Sequence, residues 1–309
     1  MKKLIPLITI ILLLAACGQS YEETKRITRE QRREAWRKDS AALKIAVMPT
    51  LDCLPLFVAQ HYELLDTVYG GVRLKFYHAQ MDCDTAIQRG RVEGMVTDLV
   101  RAMRIDRQGL AMRYVAATNA YWQLVTNRNA RIKQLKQLED KMVAMTRFSA
   151  TDLLTDIARD TVKLAPERVF KVQINDLNVR MQMLQNNEID ALWFTEPQAT
   201  MARLMKNPVV MDSRDINLQL GVMAFRDKEM KRPERAKQLQ LFLKAYNQAC
   251  DSINKHGVAY YRGILEERYK LKRNVIDSLS SELHFQHACG PRHQDITFVE
   301  HWLEKVGKR

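Results

Sequence analysis

From Lys44 onward the chain alternates short β-branched or apolar runs with stretches of helical spacing, and this order confines it to α/β layering. The runs Lys44–Met48, Val72–Phe76, Gly94–Thr97, Tyr114–Ala117, Leu124–Thr126, Met142–Met145, Phe170–Ile174, Ala191–Phe194 and Val209–Met211 read as strands, and Leu218–Phe225 as a long extended segment. Helices are expected over Pro55–Leu65 and Asp84–Arg89, the second closed by Gly90. After Arg226 the chain turns helical. Leu239, Phe242, Tyr246, Cys250 and Ile253 recur at helical spacing up to Gly257, shorter helices follow near Val258–Tyr269 and Val275–Leu283, and Ile296, Val299, Trp302 and Leu303 form the face of a last one.

The chain also echoes itself. Residues 89–98 (RGRVEGMVTD) and 186–196 (NNEIDALWFTE) each run from a helix end through a tight turn into a short apolar strand that closes on Thr and an acid. Two similar α/β lobes follow from that pattern, with ligands expected where the strand ends converge.

The N-terminus carries an address. Lys2 and Lys3 precede an apolar run, Leu4–Leu14, that is too short to span a bilayer, and Leu14-Ala15-Ala16-Cys17 is similar to the lipobox of bacterial lipoproteins. Residues 1–16 are therefore expected to be a signal peptide and Cys17 the lipid-modified N-terminus of an exported, membrane-anchored chain. Removing Lys2 and Lys3 lowers the formal charge from +13 to about +11. That excess suits an anionic membrane surface. Nucleic acid is not an expected partner, because the basic residues of the body are interspersed with acids instead of forming a stripe with aromatics between them. Tyr21–Asp39, rich in Lys, Arg and Glu, reads as a solvated stretch or a short helix, so residues 17–42 are taken as a tether.

The run Lys44–Gln60 (KIAVMPTLDCLPLFVAQ), then Ala86–Gly90 (AIQRG), Glu93-Gly94 and Thr195-Glu196-Pro197, resembles the type II periplasmic substrate-binding proteins of ABC importers, in the branch that binds nitrate, sulfonates and thiamine-pyrimidine precursors. The resemblance spans roughly Lys44 to Leu283. It implies a two-lobed α/β clamp of the periplasmic-binding-protein type II fold with its ligand cleft between the lobes, lobe 1 formed by 43–124 and 222–309, lobe 2 by 125–221, and the C-terminal helices packed on lobe 1. Function would be the extracytoplasmic capture of a small polar metabolite and its delivery to an ABC-type membrane permease, without catalysis and without a cofactor. The rival class is an enzyme on the same fold, synthase-like toward a pyrimidine precursor or dehydratase-like. The sequence departs from the family pattern at Cys53 and Cys83.

Candidate ligand residues sit at the loops after the strands. Thr50 and Asp52 open the first helix, where Asp52 either caps it or places a carboxylate at the cleft mouth; Asp82 and Asp84 flank the second helix with the same two options. Thr97 and Asp98 close a strand. Ser149, Thr151 and Asp152 begin a helix in the second lobe, and Ser149 with Asp152 fits a capping box. Trp193 and Glu196 mark the next strand end, Trp193 as core or as a stacking platform. Counting these acids against essentially Arg147 disfavours a sulfonate or nitrate and favours an amine-bearing or heterocyclic ligand. His284, His287, Cys289 and His293 lack the spacing of a zinc site, so no metal is expected. In the fold that the resemblance implies, two disulfides are expected, Cys53–Cys83 and Cys250–Cys289; four buried free thiols are the alternative.

Overall fold

The computed structural model describes residues 21–65, 71–280 and 283–307. The expected signal peptide and Cys17 lie outside the described residues. The chain divides into two units, residues 1–42 and 43–309. In the first, α1 (Tyr21–Ala41) runs 21 residues as one helix, longer than the short helix expected of the tether. Its exposed face carries pairs such as Lys38 Nζ to Glu34 Oε1 at 2.8 Å, the i,i+4 support that a helix polar all round depends on. Among the described residues no helix is long and apolar enough to cross a membrane.

Among its described residues the second unit holds ten strands: β1 (Leu43–Val47), β2 (Val72–Phe76), β3 (Gly94–Asp98), β4 (Met112–Ala117), β5 (Gln123–Thr126), β6 (Lys141–Met145), β7 (Val169–Gln173), β8 (Ala191–Phe194), β9 (Val209–Asp212) and β10 (Gly221–Arg226). They form two five-stranded sheets ordered β2-β1-β3-β10-β4 and β7-β6-β8-β5-β9. In each sheet three strands are parallel and the fourth position is taken by a strand from the other half of the sequence, antiparallel to its neighbours: β10 beside β3 and β4, β5 beside β8 and β9. The two sheets thus repeat one topology. The echoed segments become β3 and β8, which hold the same central place in each sheet, and the chain crosses between sheets from β4 to β5 and from β9 to β10.

Between the strands lie α2 (Leu54–His61), α3 (Gln80–Gln88), α4 (Leu99–Arg107), α5 (Ala150–Thr161), α6 (Leu177–Gln185) and α7 (Gln198–Leu204). After β10 come α8 (Asp227–Met230), α9 (Pro233–His256), α10 (Arg262–Tyr269), α11 (Arg273–Ile276) and α12 (His293–Gly307). Alternate residues of β1 face opposite ways, as the pleat requires. Leu43, Ile45 and Val47 join the core beneath α2 and α9, whereas Ala46 joins the core beneath α3 and α4. Gly94 fits where it does because a Cβ there would stand 2.4 Å from the ring of buried Phe225 on the neighbouring strand. Helix α9 packs Phe242, Tyr246 and Ile253 against α2 as the spacing requires. The last helix packs on α4 of the first half, as expected, and also reaches the second half. Val299 and Trp302 of α12 enter the core shared by α4 and α5, and Trp302 Nε1 donates to Asp156 Oδ2 on α5 at 3.0 Å.

The expected disulfides are corrected by the structure, in which Cys53, Cys83, Cys250 and Cys289 are all free thiols. Cys53 lies in the core under α2 and α9, and Cys83 in the core on the opposite face of the first sheet, so nearness of their loops does not bring the sulfurs together on one side. Cys250 is buried beside Tyr246 while Cys289 is exposed. Burial pushes the Cys53 and Cys83 thiols up and that of Cys250 up to about 12, which keeps all three protonated and unreactive. Iodoacetamide at pH 8 is therefore expected to label Cys289 alone among these four in the native protein, and all four after unfolding in guanidinium; native labelling of Cys83 would contradict this packing.

Candidate functional site

The strand ends of both sheets converge on one cavity, which with its open mouth holds about 640 Å³ of free space. From the first sheet it is lined by Met48, Thr50 and Asp52 after β1, by Gln80 of α3, by Val96, Thr97 and Asp98 of β3, and by Arg101 of α4. From the second come Thr146, Ser149 and Thr151 after β6, Asn175 and Arg180 around α6, and Trp193 and Thr195 of β8 and its end. Ala120 and Trp122, on the β4–β5 crossing, complete it. The halves also touch directly: Leu51 N donates to Glu196 O at 2.8 Å, Gln198 Nε2 to Pro49 O at 3.2 Å, and Ala79 bridges Asp176.

Asp52 sits in a turn just before α2, buried, with Oδ2 accepting from Thr118 Oγ1 at 3.1 Å; burial raises its carboxyl above the ordinary value. It lines the cavity wall, one of the two options left open by the sequence. Asp98 does cap. Its Oδ1 accepts from Arg101 N, within its own helix α4, and from Ala150 N at the start of α5 in the other half, both at 3.0 Å. One carboxylate oxygen thus closes two helix N-termini that face each other across the cavity. Burial lifts its carboxyl to about 6, with the Arg101 guanidinium opposing the shift.

The Ser149–Thr151 turn is tied together internally. Thr151 N donates to Ser149 Oγ at 3.1 Å, Ser149 Oγ donates to Thr146 O at 2.6 Å, and Thr146 N donates to Thr151 Oγ1 at 2.9 Å. Trp193 is fully buried, its Nε1 donating to Thr155 Oγ1 at 2.9 Å, and it forms the cavity floor as part of the core. Of the expected site residues, the fold brings Thr50, Asp52, Thr97, Asp98, Ser149, Thr151 and Trp193 to the cavity.

Three expected positions stand elsewhere. Asp82 is exposed on α3. Asp152 reaches back to Phe148 N at 2.9 Å and pairs with Lys171 Nζ at 2.6 Å, a variant of the expected capping box that turns its carboxylate from the cavity. Glu196 is buried, but its carboxylate accepts from Tyr121 Oη, Thr200 N and Arg203 Nη2 beside the crossing strands. Arg147 does not line the cavity either; its guanidinium lies 5.3 Å from the Phe148 ring centroid.

The acid-rich charge balance is corrected accordingly. Two of the counted acids, Asp52 and Asp98, line the cavity, and two arginines that the count omitted line it with them: Arg101, 2% exposed, and Arg180, 3% exposed. Arg101 was hidden because α4 starts directly after β3 with no Gly or Pro between them, although Asp98 followed by Leu99, Val100, Met103 and Ile105 carries the signal of a capped amphipathic helix. The echo places a helix end near Asn186 without fixing where that helix starts or which face it buries, so Arg180 escaped the count; Asp176, whose Oδ1 accepts from Asn178 N and Val179 N, caps α6. In the tail, His287 pairs with Asp251 at 2.7 Å and His293 approaches Thr297, and among the described residues no group of His, Cys, Asp and Glu could hold a metal ion.

Solved structures of similar fold share little sequence with the chain. The ligand-binding component of an ABC-type import system from Staphylococcus aureus, with zinc bound, superposes with a TM-score of 0.73 at 15% identity, covering 87% of this chain and 92% of that one. The alkanesulfonate-binding protein SsuA from Xanthomonas axonopodis pv. citri, bound to MOPS, gives 0.75 at 14% identity over 87% and 93%. The periplasmic nitrate-binding protein NrtA from Synechocystis PCC 6803 gives 0.68 at 14% identity over 83% and 74%. No curated protein matches the sequence. The family model described as NMT1/THI5 like matches residues 70–258, more than half of the 309, and with two sheets of periplasmic-binding-protein topology around one polar cavity, the chain belongs to the NMT1/THI5-like family.

Proposed function

We propose that this chain is an extracytoplasmic solute-binding lipoprotein that captures a small polar metabolite in the cavity between its two sheets and hands it to an ABC-type permease. The observation that carries the reading is the cavity itself: buried polar side chains from equivalent strand ends of two repeated sheets face one shared cavity with an open mouth, the arrangement of a ligand site in open α/β folds. The Staphylococcus aureus neighbour, a ligand-binding component of an ABC-type import system, supports the same role, as do the sulfonate- and nitrate-binding neighbours.

In this reading 43–124 with 222–309 is one jaw and 125–221 the other, the β4–β5 and β9–β10 crossings are the hinge, and Cys17 carries the lipid that holds the protein at the membrane. Thr50, Asp52, Thr97, Asp98, Ser149, Thr151 and Trp193 contact the ligand. Asp52 and Asp98 beside Arg101 and Arg180 give the cavity both signs of charge, which suits a polar metabolite that offers donors and acceptors, such as a heterocycle.

A thermal-shift screen of small metabolites on the purified chain, followed by small-angle scattering with each hit, tests this. At least one hit is expected to raise the melting temperature and to leave or make the particle compact. A screen with no hit would overturn the reading, and conversion of a hit to product, followed by mass spectrometry, would replace it with an enzyme on the same fold.

A further inference from the structure

Helix α1 is polar all round, yet its charges are sorted. Between Lys25 and Lys38 stand seven cations and two acids. At about 100° per residue, Lys25, Arg29, Arg32, Arg33 and Trp36 share an arc of about 100°, bordered by Arg26 and Arg37 on one side and by Asp39 on the other. Glu30 and Glu34 fall outside that arc, and Glu34 is taken by Lys38 at 2.8 Å. The five residues of the arc are exposed, Trp36 by 70%. Among the described residues Arg29, Arg32 and Arg33 enter no ion pair.

An indole carries a large apolar surface that folding normally covers, so a Trp left this open among guanidinium groups needs a surface that takes both. The headgroup layer of a membrane is such a surface, with phosphates for the cations and an apolar boundary for the ring. Duplex DNA offers phosphates without that apolar layer. We infer that this face of α1 lies along a membrane and binds anionic phospholipid headgroups, with Arg29, Arg32 and Arg33 on the phosphates and Trp36 set into the interface. The choice of partner rests on the lipoprotein reading, in which residues 18–20 alone separate the lipid on Cys17 from α1, a span of at most about 14 Å. The helix therefore starts within reach of the headgroups, and lying flat it presents about 30 Å of its cationic arc to one plane of lipid. A basic face beside a lipid chain adds a second, salt-sensitive hold on the membrane.

Flotation of the full chain carrying Cys17→Ser, which bears no lipid, on mixed phosphatidylglycerol–phosphatidylcholine vesicles and on phosphatidylcholine alone tests it. The anionic vesicles are expected to bind about tenfold or more tightly, with the preference fading as salt is added. Replacing Arg29, Arg32 and Arg33 together with Gln, a good helix former, is expected to remove most of the preference. Trp193 and Trp302 are buried, so a blue shift of tryptophan emission on anionic vesicles is expected in the parent and not in Trp36→Phe. Should the triple variant fail to fold by circular dichroism, the emission shift decides. Equal binding to both vesicle types, a preference that survives the triple variant, an emission shift that survives Trp36→Phe, or tighter binding to duplex DNA than to anionic vesicles would overturn the inference. The apolar run Leu4–Leu14 does not imitate the expected result, because it is the same in the triple variant. The solute-binding reading is judged by its own screen, since this assay contains neither lipid anchor nor solute.

Discussion

Replacing Trp193 with alanine is expected to cost about 3–5 kcal/mol of folding free energy, enough to unfold a large share of the protein at growth temperature. The side chain is fully buried on β8, registered opposite Leu124 of the crossing strand β5, and packed in the core that Leu153, Leu154 and Trp302 share. Removing it opens a void where α5 and α12 meet the second sheet, and the surrounding strands are held by pairing on both sides and cannot collapse into it. Trp193→Phe keeps most of the volume and loses the bond to Thr155, at about 1 kcal/mol. Urea denaturation followed by circular dichroism separates the two variants. Near-equal losses would mean that the ring is a cavity ornament and not a packing element.

The second large effect concerns Asp98 and depends on pH. Burial raises its carboxyl from the ordinary 3.8 to about 6 in the folded state, so the folded protein holds this proton more tightly than the unfolded chain does. The contribution to stability is fully present below pH 3.8 and is lost as pH rises through about 6; at neutral pH the penalty amounts to about 3 kcal/mol at one pKa unit per 1.4 kcal/mol. Asp98→Asn keeps an oxygen that accepts from Arg101 N and Ala150 N but carries no charge to desolvate. The variant is expected to be more stable than the parent at pH 7.5, by up to about 3 kcal/mol, and to match it at pH 3.5. Parallel urea titrations at the two pH values check this. A variant less stable at pH 7.5 would show that the ionised carboxylate gains more from two helix N-termini than burial takes away.

The central strands were legible because each is a short apolar run bounded by polar turns, as a strand buried on both faces must be, and the edge strands β2 and β7 because apolar residues alternate with charged or polar ones. All ten expected segments are strands within a few residues, and the echo of 89–98 by 186–196 foretold two sheets of one topology, because equivalent strands need the same turn and the same small residues to enter a sheet centre. The placing of Thr50, Thr97, Ser149 and Thr151 at a shared cavity follows from the same logic, since they stand after parallel strands whose ends must converge. Helices α4 and α6 were less legible because they follow their strand or loop without Gly or Pro to mark the start, and α7, although Pro197 stands at its N-cap, is only seven residues long.

What the chain order alone determined is therefore the α/β alternation and the duplication, both properties of local spacing and composition. Tertiary structure decided the rest. Whether an acid meets the cavity depends on its rotation about a helix or turn and on the cation it finds: Asp152 turns to Lys171 and Glu196 to Arg203, while Asp52 and Asp98 do not turn away. Cys53 and Cys83 were separated by the sheet that lies between their cores. Arg101 and Arg180, 79 positions apart, became neighbours in one field only because two sheets fold face to face at their strand ends, and charge acts through space, which a linear spacing does not measure.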